Sequence, residues 1–159
     1  LNFDAVTVAP YMGGDSVRPF LEYPGKWAIV LGLTSNAGSE DFEMLDSGPL
    51  KVYQHVLKKA SAWGNPQNLM YVIGATRHEL VSEIRKSFPD HFFLVPGVGA
   101  QGGSLEEISG HGMNKDCGLL VNASRAVIFA SSGEDFDTAA KSASKKYHSE
   151  MKDFLQKLR

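Results

Sequence analysis

Two stretches of this chain join a strand-like apolar run to groups that can hold a phosphate. The first is Leu94-Val95-Pro96-Gly97-Val98-Gly99-Ala100-Gln101-Gly102-Gly103, and the second is Leu119-Leu120-Val121-Asn122-Ala123-Ser124-Arg125. Glycines let a backbone approach a ligand closely and present bare N–H groups. Gln101 can donate and accept hydrogen bonds, and Arg125 offers a planar cationic fork suited to a dianion. Two such strand ends side by side describe a phosphate site at the carboxyl edge of a parallel sheet, as in the last two strands of a (β/α)8 barrel.

Elements able to position these groups are legible along the chain. Five apolar runs read as buried parallel strands: Ala5–Ala9, Trp27–Gly32, Leu69–Ile73, Phe92–Val95 and Gly118–Val121. Near-continuous Val, Ile, Leu and Phe is what strands covered on both faces require. Helical patterns separate them. A short one starts at Asp15-Ser16, with Asp15 as its cap. The spacing predicts a helix over Pro49–Trp63, with Pro49 in its first turn and Leu50, Tyr53, Val56, Leu57 and Ala60 on its apolar side. Arg77–Phe88 places Leu80, Ile84 and Ser87 on one side and stops before Pro89. Ser104–Ser109 is short, and Asp135–Leu158 is long and amphipathic with lysines on its outer face. Strand and helix alternate five times, which implies α/β architecture with right-handed crossovers. Every segment of chemical interest follows a strand, where ligands bind in barrels and open α/β sheets.

Composition narrows the function classes. A chain of 159 residues, 43% hydrophobic and 21% charged, has the make-up of an ordinary globular domain. The formal net charge of −2 argues against nucleic-acid binding driven by bulk charge. No apolar run approaches the roughly 18 residues that span a membrane, and the N-terminal segment lacks a signal-peptide layout. One cysteine, Cys117, cannot form an internal disulfide, in keeping with a cytoplasmic setting. The five histidines suggest no metal site. His55, His78 and His148 fall in helical stretches, His91 precedes a strand and His111 falls in a loop, with no ligand spacing on one helix. No nucleophile elbow supports a Ser–His–Asp triad.

Several strand ends together resemble the orotidine 5'-phosphate decarboxylase family, in its longer bacterial branch. The words are Asp4-Ala5-Val6-Thr7-Val8-Ala9-Pro10-Tyr11-Met12-Gly13 with Asp15-Ser16-Val17; Leu33-Thr34-Ser35-Asn36-Ala37-Gly38-Ser39; Val72-Ile73-Gly74-Ala75-Thr76; Pro96–Gly103; and Val121-Asn122-Ala123-Ser124-Arg125. The likeness runs to about Ala130 and more loosely through the final helix. It implies that residues 1–159 form one partial domain, strands four to eight of a TIM (β/α)8 barrel, with strands one to three absent. It also implies decarboxylation of orotidine 5'-phosphate to UMP without metal or cofactor. The partner is a small-molecule substrate, with no nucleic acid and no membrane, and a homodimer is expected.

By the same resemblance Arg125 grips the substrate phosphate; otherwise it is a surface arginine paired with a helix carboxylate. Gln101 bridges phosphate and pyrimidine from the closing loop, and Gly102 and Gly103 add N–H donors. Ser35 reads the amide edge of the pyrimidine; otherwise it is a helix cap. Pro96 walls the reacting carboxylate, and Thr34, Asn36 and Asn122 are further candidates. Pro10, Tyr11 and Met12 would lie near the dimer interface and the active-site rim, with Tyr11 in a packing role. The family's catalytic Asp-x-Lys-x-x-Asp motif does not occur here, and it is expected upstream of Leu1. Lys26 and Lys115 precede their strands, at the wrong end. Two other readings stay open: a non-catalytic half barrel that binds a phosphate or nucleotide, and another phosphate-binding barrel enzyme.

Overall fold

Parallel pairing organises the strands. The computed structural model describes residues 2–99 and 102–158. It contains β1 (Ala5–Val8), β2 (Trp27–Leu33), β3 (Asp46–Ser47), β4 (Leu50–Lys51), β5 (Leu69–Ile73), β6 (Phe93–Pro96) and β7 (Leu119–Asn122). Five of these form one sheet in the order β1-β2-β5-β6-β7, while β3 and β4 make a separate two-residue antiparallel ladder. The helices are α1 (Gly14–Leu21), α2 (Ser39–Phe42), α3 (Val52–Ala60), α4 (His78–Ser87), α5 (Leu105–Gly112), α6 (Ser124–Ile128) and α7 (Phe136–Lys157). The chain divides into two units: Leu1–Ile73 with Asp90–Leu94, and Gly74–Pro89 with Val95–Arg159.

In the first unit β2 pairs in parallel with β1 from Ala5↔Trp27 to Val8↔Val30, and with β5 from Ala28↔Leu69 to Leu33↔Ile73. The central strands β2 and β5 bury Ala28, Val30, Leu33, Leu69, Tyr71 and Ile73 against Val17 of α1 and Tyr53, Leu57 and Ala60 of α3. Helix and sheet meet tightly at Gly32. A Cβ there would stand 2.6 Å from Leu57 Cδ2, and the β2–β5 register shifts between Leu31 and Leu33. Burial pushes the phenol of Tyr71 well above its ordinary pKa, and its hydroxyl donates to Leu57 O at 3.5 Å.

Arg85 is the polar centre of the second unit. It is buried on α4 beside Val81 and Ile84. Its Nε donates to Gly112 O at 2.8 Å, Nη1 to Phe88 O at 3.0 Å and Pro89 O at 3.2 Å, and Nη2 to Gly118 O at 2.9 Å. One guanidinium thus closes the end of α4, the end of α5 and the entry to β7. Helix α7 packs on α5 and α6. Its half-buried residues, among them Ala139, Ala143, Tyr147, Met151 and Leu155, fall on one helical stripe.

Several expectations need correction. β1 and β7 are not covered on both faces: they end the sheet order, and Val6 and Leu120 are exposed. Pro49 does not open a helix. It follows Gly48, whose φ of +65° turns β3 back onto β4, and α3 begins only at Val52. Asp15 is not a cap, because Gly13 with φ +96° takes that place two residues earlier and Asp15 lies in the first turn. The buried face of α4 runs through Val81, Ile84 and Arg85, not Leu80 and Ser87. His111 belongs to α5, which extends to Gly112.

Replacing Arg85 with Met keeps the apolar stem and strips a donor from four carbonyls. Pro89 O keeps Asn114 Nδ2 at 2.8 Å, but the buried carbonyls of Gly112 and Gly118 lose their guanidinium donor. This is costly, so this variant should lose roughly 3 kcal/mol in urea unfolding. A loss below about 1 kcal/mol would contradict the role given to this side chain.

Candidate functional site

In the first unit the chain leaves β2 through Thr34, Ser35 and Asn36 and turns into α2. Ser39 N–H donates to Asn36 O at 3.1 Å, and Ser39 itself is buried. Thr34 is held twice by Glu43. Its N–H donates to Glu43 Oε2 at 2.7 Å, and its hydroxyl lies 2.8 Å from Glu43 Oε1 and 2.6 Å from Asn36 Oδ1. Ser35 is half-buried at this strand end. After β1, Pro10–Met12 forms one 3-10 turn closed by Gly13 N–H on Pro10 O at 2.9 Å. Tyr11 is 94% exposed there, so it packs against nothing substantial in the described chain.

In the second unit β6 ends on half-buried Pro96 and runs into a glycine loop. Gly97 (φ +94°), Gly99 (φ +77°) and Gly102 (φ +85°) adopt left-handed backbone that side chains resist. The loop closes on itself. Gly102 N–H donates to Gly99 O at 2.9 Å, Gly103 N–H to Gly97 O at 3.2 Å, and Gly99 N–H to Gly103 O at 2.9 Å. The expectation that Gly102 and Gly103 present bare donors therefore needs correction: a loop this tight offers its own carbonyls first. Gly103 is buried, and a Cβ on it would stand 2.5 Å from Ala75 Cβ and 2.8 Å from Gly97 O. Ser104 then caps α5, accepting from Glu107 N–H at 3.2 Å. Gln101 lies outside the described residues.

Arg125 sits in the first turn of α6, directly after β7, and is exposed. Among the described residues no carboxylate pairs with its guanidinium. Asn122 Oδ1 accepts from the Ser124 hydroxyl at 2.7 Å. The glycine loop comes up against this same turn: a Cβ on Gly99 would lie 3.1 Å from Ala126 Cβ and 2.7 Å from the Tyr147 hydroxyl. The second unit thus brings the loop after β6 to the residue that follows Arg125. Lys26 pairs with Asp4 at 3.0 Å just before β2, and exposed Lys115 precedes β7, so both stand at the amino ends of strands.

Two features escape a reading of the sequence. α6 is too short to show a helical period. Glu43 lies nine positions beyond Thr34 with no motif joining them; only its place just after the short Ser39–Phe42 turn could have drawn notice.

Residues 1–141 match the orotidine 5'-phosphate decarboxylase / HUMPS family. The chain is 52% identical over 156 residues to the orotidine 5'-phosphate decarboxylase of Phocaeicola vulgatus, covering 98% of this chain and 57% of that protein. It is 53% identical over 156 residues to the Parabacteroides distasonis enzyme, covering 98% and 56%. The chain therefore spans a little over half the length of these relatives. Among solved structures, Leishmania donovani UMP synthase superposes with a TM-score of 0.81 at 38% identity, covering 94% of this chain and 34% of that one. Leishmania donovani OMP decarboxylase does so with 0.79 at 35% identity, covering 94% and 58%. These structural relatives are TIM barrels, and the five parallel strands here are part of such a barrel. With the family matched over most of its length and the fold shared, this chain belongs to the orotidine 5'-phosphate decarboxylase / HUMPS family.

Proposed function

We propose that this chain is the phosphate- and pyrimidine-binding portion of an orotidine 5'-phosphate decarboxylase, which converts that nucleotide to UMP and carbon dioxide. The observation that carries the reading is the meeting of the glycine loop with the turn holding Arg125, whose guanidinium no described carboxylate neutralises. A cationic fork beside closely packed glycine backbone suits a phosphate dianion. The strand-end motifs, by their resemblance to the family, suggest a role for each residue. Arg125 grips the phosphate, Gln101 bridges phosphate and base, Gly102 and Gly103 stand in the loop that meets the ligand, and Asn122 is a further substrate-binding candidate. Pro96 walls the reacting group. Ser35 reads the pyrimidine amide edge, with Thr34 and Asn36 beside it. A polar site of this kind rejects analogues that lack the matching group.

Bond-breaking is assigned elsewhere. The 159 residues contain no Asp-x-Lys-x-x-Asp, and the lysines that flank strands stand at their amino ends. The carbanion formed at C6 of the pyrimidine calls for an ammonium from residues outside this chain. Phosphate contacts far from C6 then serve to close the loop, so that remote binding energy lowers the barrier. A cytoplasmic homodimer is part of the same proposal. No helix among the described residues is long and apolar enough to cross a membrane.

Two outcomes test the reading. In the complete enzyme carrying this segment, Arg125→Ala should lower kcat/KM for orotidine 5'-phosphate by a hundredfold or more, equivalent to roughly 3 kcal/mol. It should leave the slow reaction of phosphate-free orotidine nearly unchanged. An equal loss on both substrates, or none on the first, would contradict the phosphate assignment. The isolated 159-residue chain should show no decarboxylation above background; turnover by the pure chain would place the catalytic lysine within it.

A further inference from the structure

Glu43 is a carboxylate bound to Thr34 at the strand end that Ser35 occupies, and nothing in the family roles above uses it. It lies half-buried just past α2 and meets Thr34 at two points, accepting from the N–H at 2.7 Å and lying 2.8 Å from the hydroxyl, whose one proton it shares with Asn36 Oδ1 at 2.6 Å. Carboxylate acceptors form the stronger class of hydrogen bond, and a two-point grip fixes direction as well as distance. The same residue's backbone accepts from Tyr53 N–H at 2.9 Å, one of the unpaired donors that opens α3. Tyr53 is buried in the first unit's core. Glu43 therefore runs from a rigid helix start to the first residue beyond β2. Local preference does not put it there, because a negative charge at the end of a helical turn opposes the peptide dipoles. Acids that break a local rule and still make short, paired contacts mark positions kept for a geometric purpose.

We infer that Glu43 is a positioning residue for base recognition: by holding Thr34 at two points it sets the direction in which Ser35 and Asn36 leave β2, and so the selectivity for a pyrimidine over a bare sugar phosphate. The inference rests on the proposed function, in which Ser35 meets the base. Glu43 acts through Thr34 and touches no reacting atom. Its backbone contact to Tyr53 survives any substitution, so side-chain variants test the grip alone.

The test compares UMP with ribose 5-phosphate as competitive inhibitors of the complete enzyme carrying this segment. Glu43→Ala should weaken UMP about tenfold, the effect of losing charge-assisted hydrogen bonds, while ribose 5-phosphate changes less than about twofold. Glu43→Gln, which retains one acceptor, should fall between the two. Amide hydrogen exchange at Thr34 should quicken in both variants. Equal weakening of both ligands would make Glu43 a plain structural residue and overturn the inference. Unchanged UMP binding in both variants would overturn it too. Wild-type enzyme that does not prefer UMP would instead sink the base-reading role of Ser35, and the inference with it.

Discussion

Parallel pairing of β2 with β5 is the constraint on which the rest depends. Both strands are buried, and their backbones satisfy one another from Ala28↔Leu69 onward. Buried strands cannot slip by one residue without turning their core side chains outward. The register therefore decides where β2 stops and hence where Thr34 and Ser35 emerge. Gly32 sharpens this, since Leu57 closes on its bare Cα face just where the register shifts. In the first unit Pro10 and Thr34 come after the carboxyl ends of β1 and β2; in the second Gly97 follows β6 and Asn122 ends β7. Carboxyl ends of strands are where chemistry collects in α/β proteins.

Much of this was legible in the sequence, for physical reasons. Leu69–Ile73 is a continuous apolar run, and the observed strand has those same bounds. Trp27–Gly32 ran one residue longer because Leu33 is buried as well. The five strand-end words stood out because glycine, proline and short polar side chains contrast with the apolar runs before them. What failed were features decided by pairing across distance. Pro49 looks like a helix opener by local preference, yet Gly48 allows a turn whose ladder of Asp46 with Lys51 and Ser47 with Leu50 takes precedence. Gly102 and Gly103 looked like free donors, but the carbonyls that occupy them lie elsewhere in the loop. Glu43 was invisible because its meaning lies wholly in a contact nine residues back.

Stability and binding draw on different groups. Arg85 spends its hydrogen bonds on carbonyls of the second unit's own backbone. His78 and His111 stack at 5.8 Å, with His78 Nδ1 3.4 Å from Glu107 and His111 Nδ1 2.8 Å from Ser82 Oγ, tying α4 to α5. Arg125 differs from these in kind. It is exposed and without a described carboxylate, and its turn is braced against the glycine loop. The backbone of that turn is fixed in advance, while the exposed side chain gives up rotamer freedom when an anion arrives.

The most direct measurement is a crystal structure of the complete enzyme with UMP bound. The account predicts the phosphate on the Arg125 guanidinium, with the Gly97–Gly103 loop closed upon it. A phosphate held by other residues, with that guanidinium turned into solvent, would contradict it.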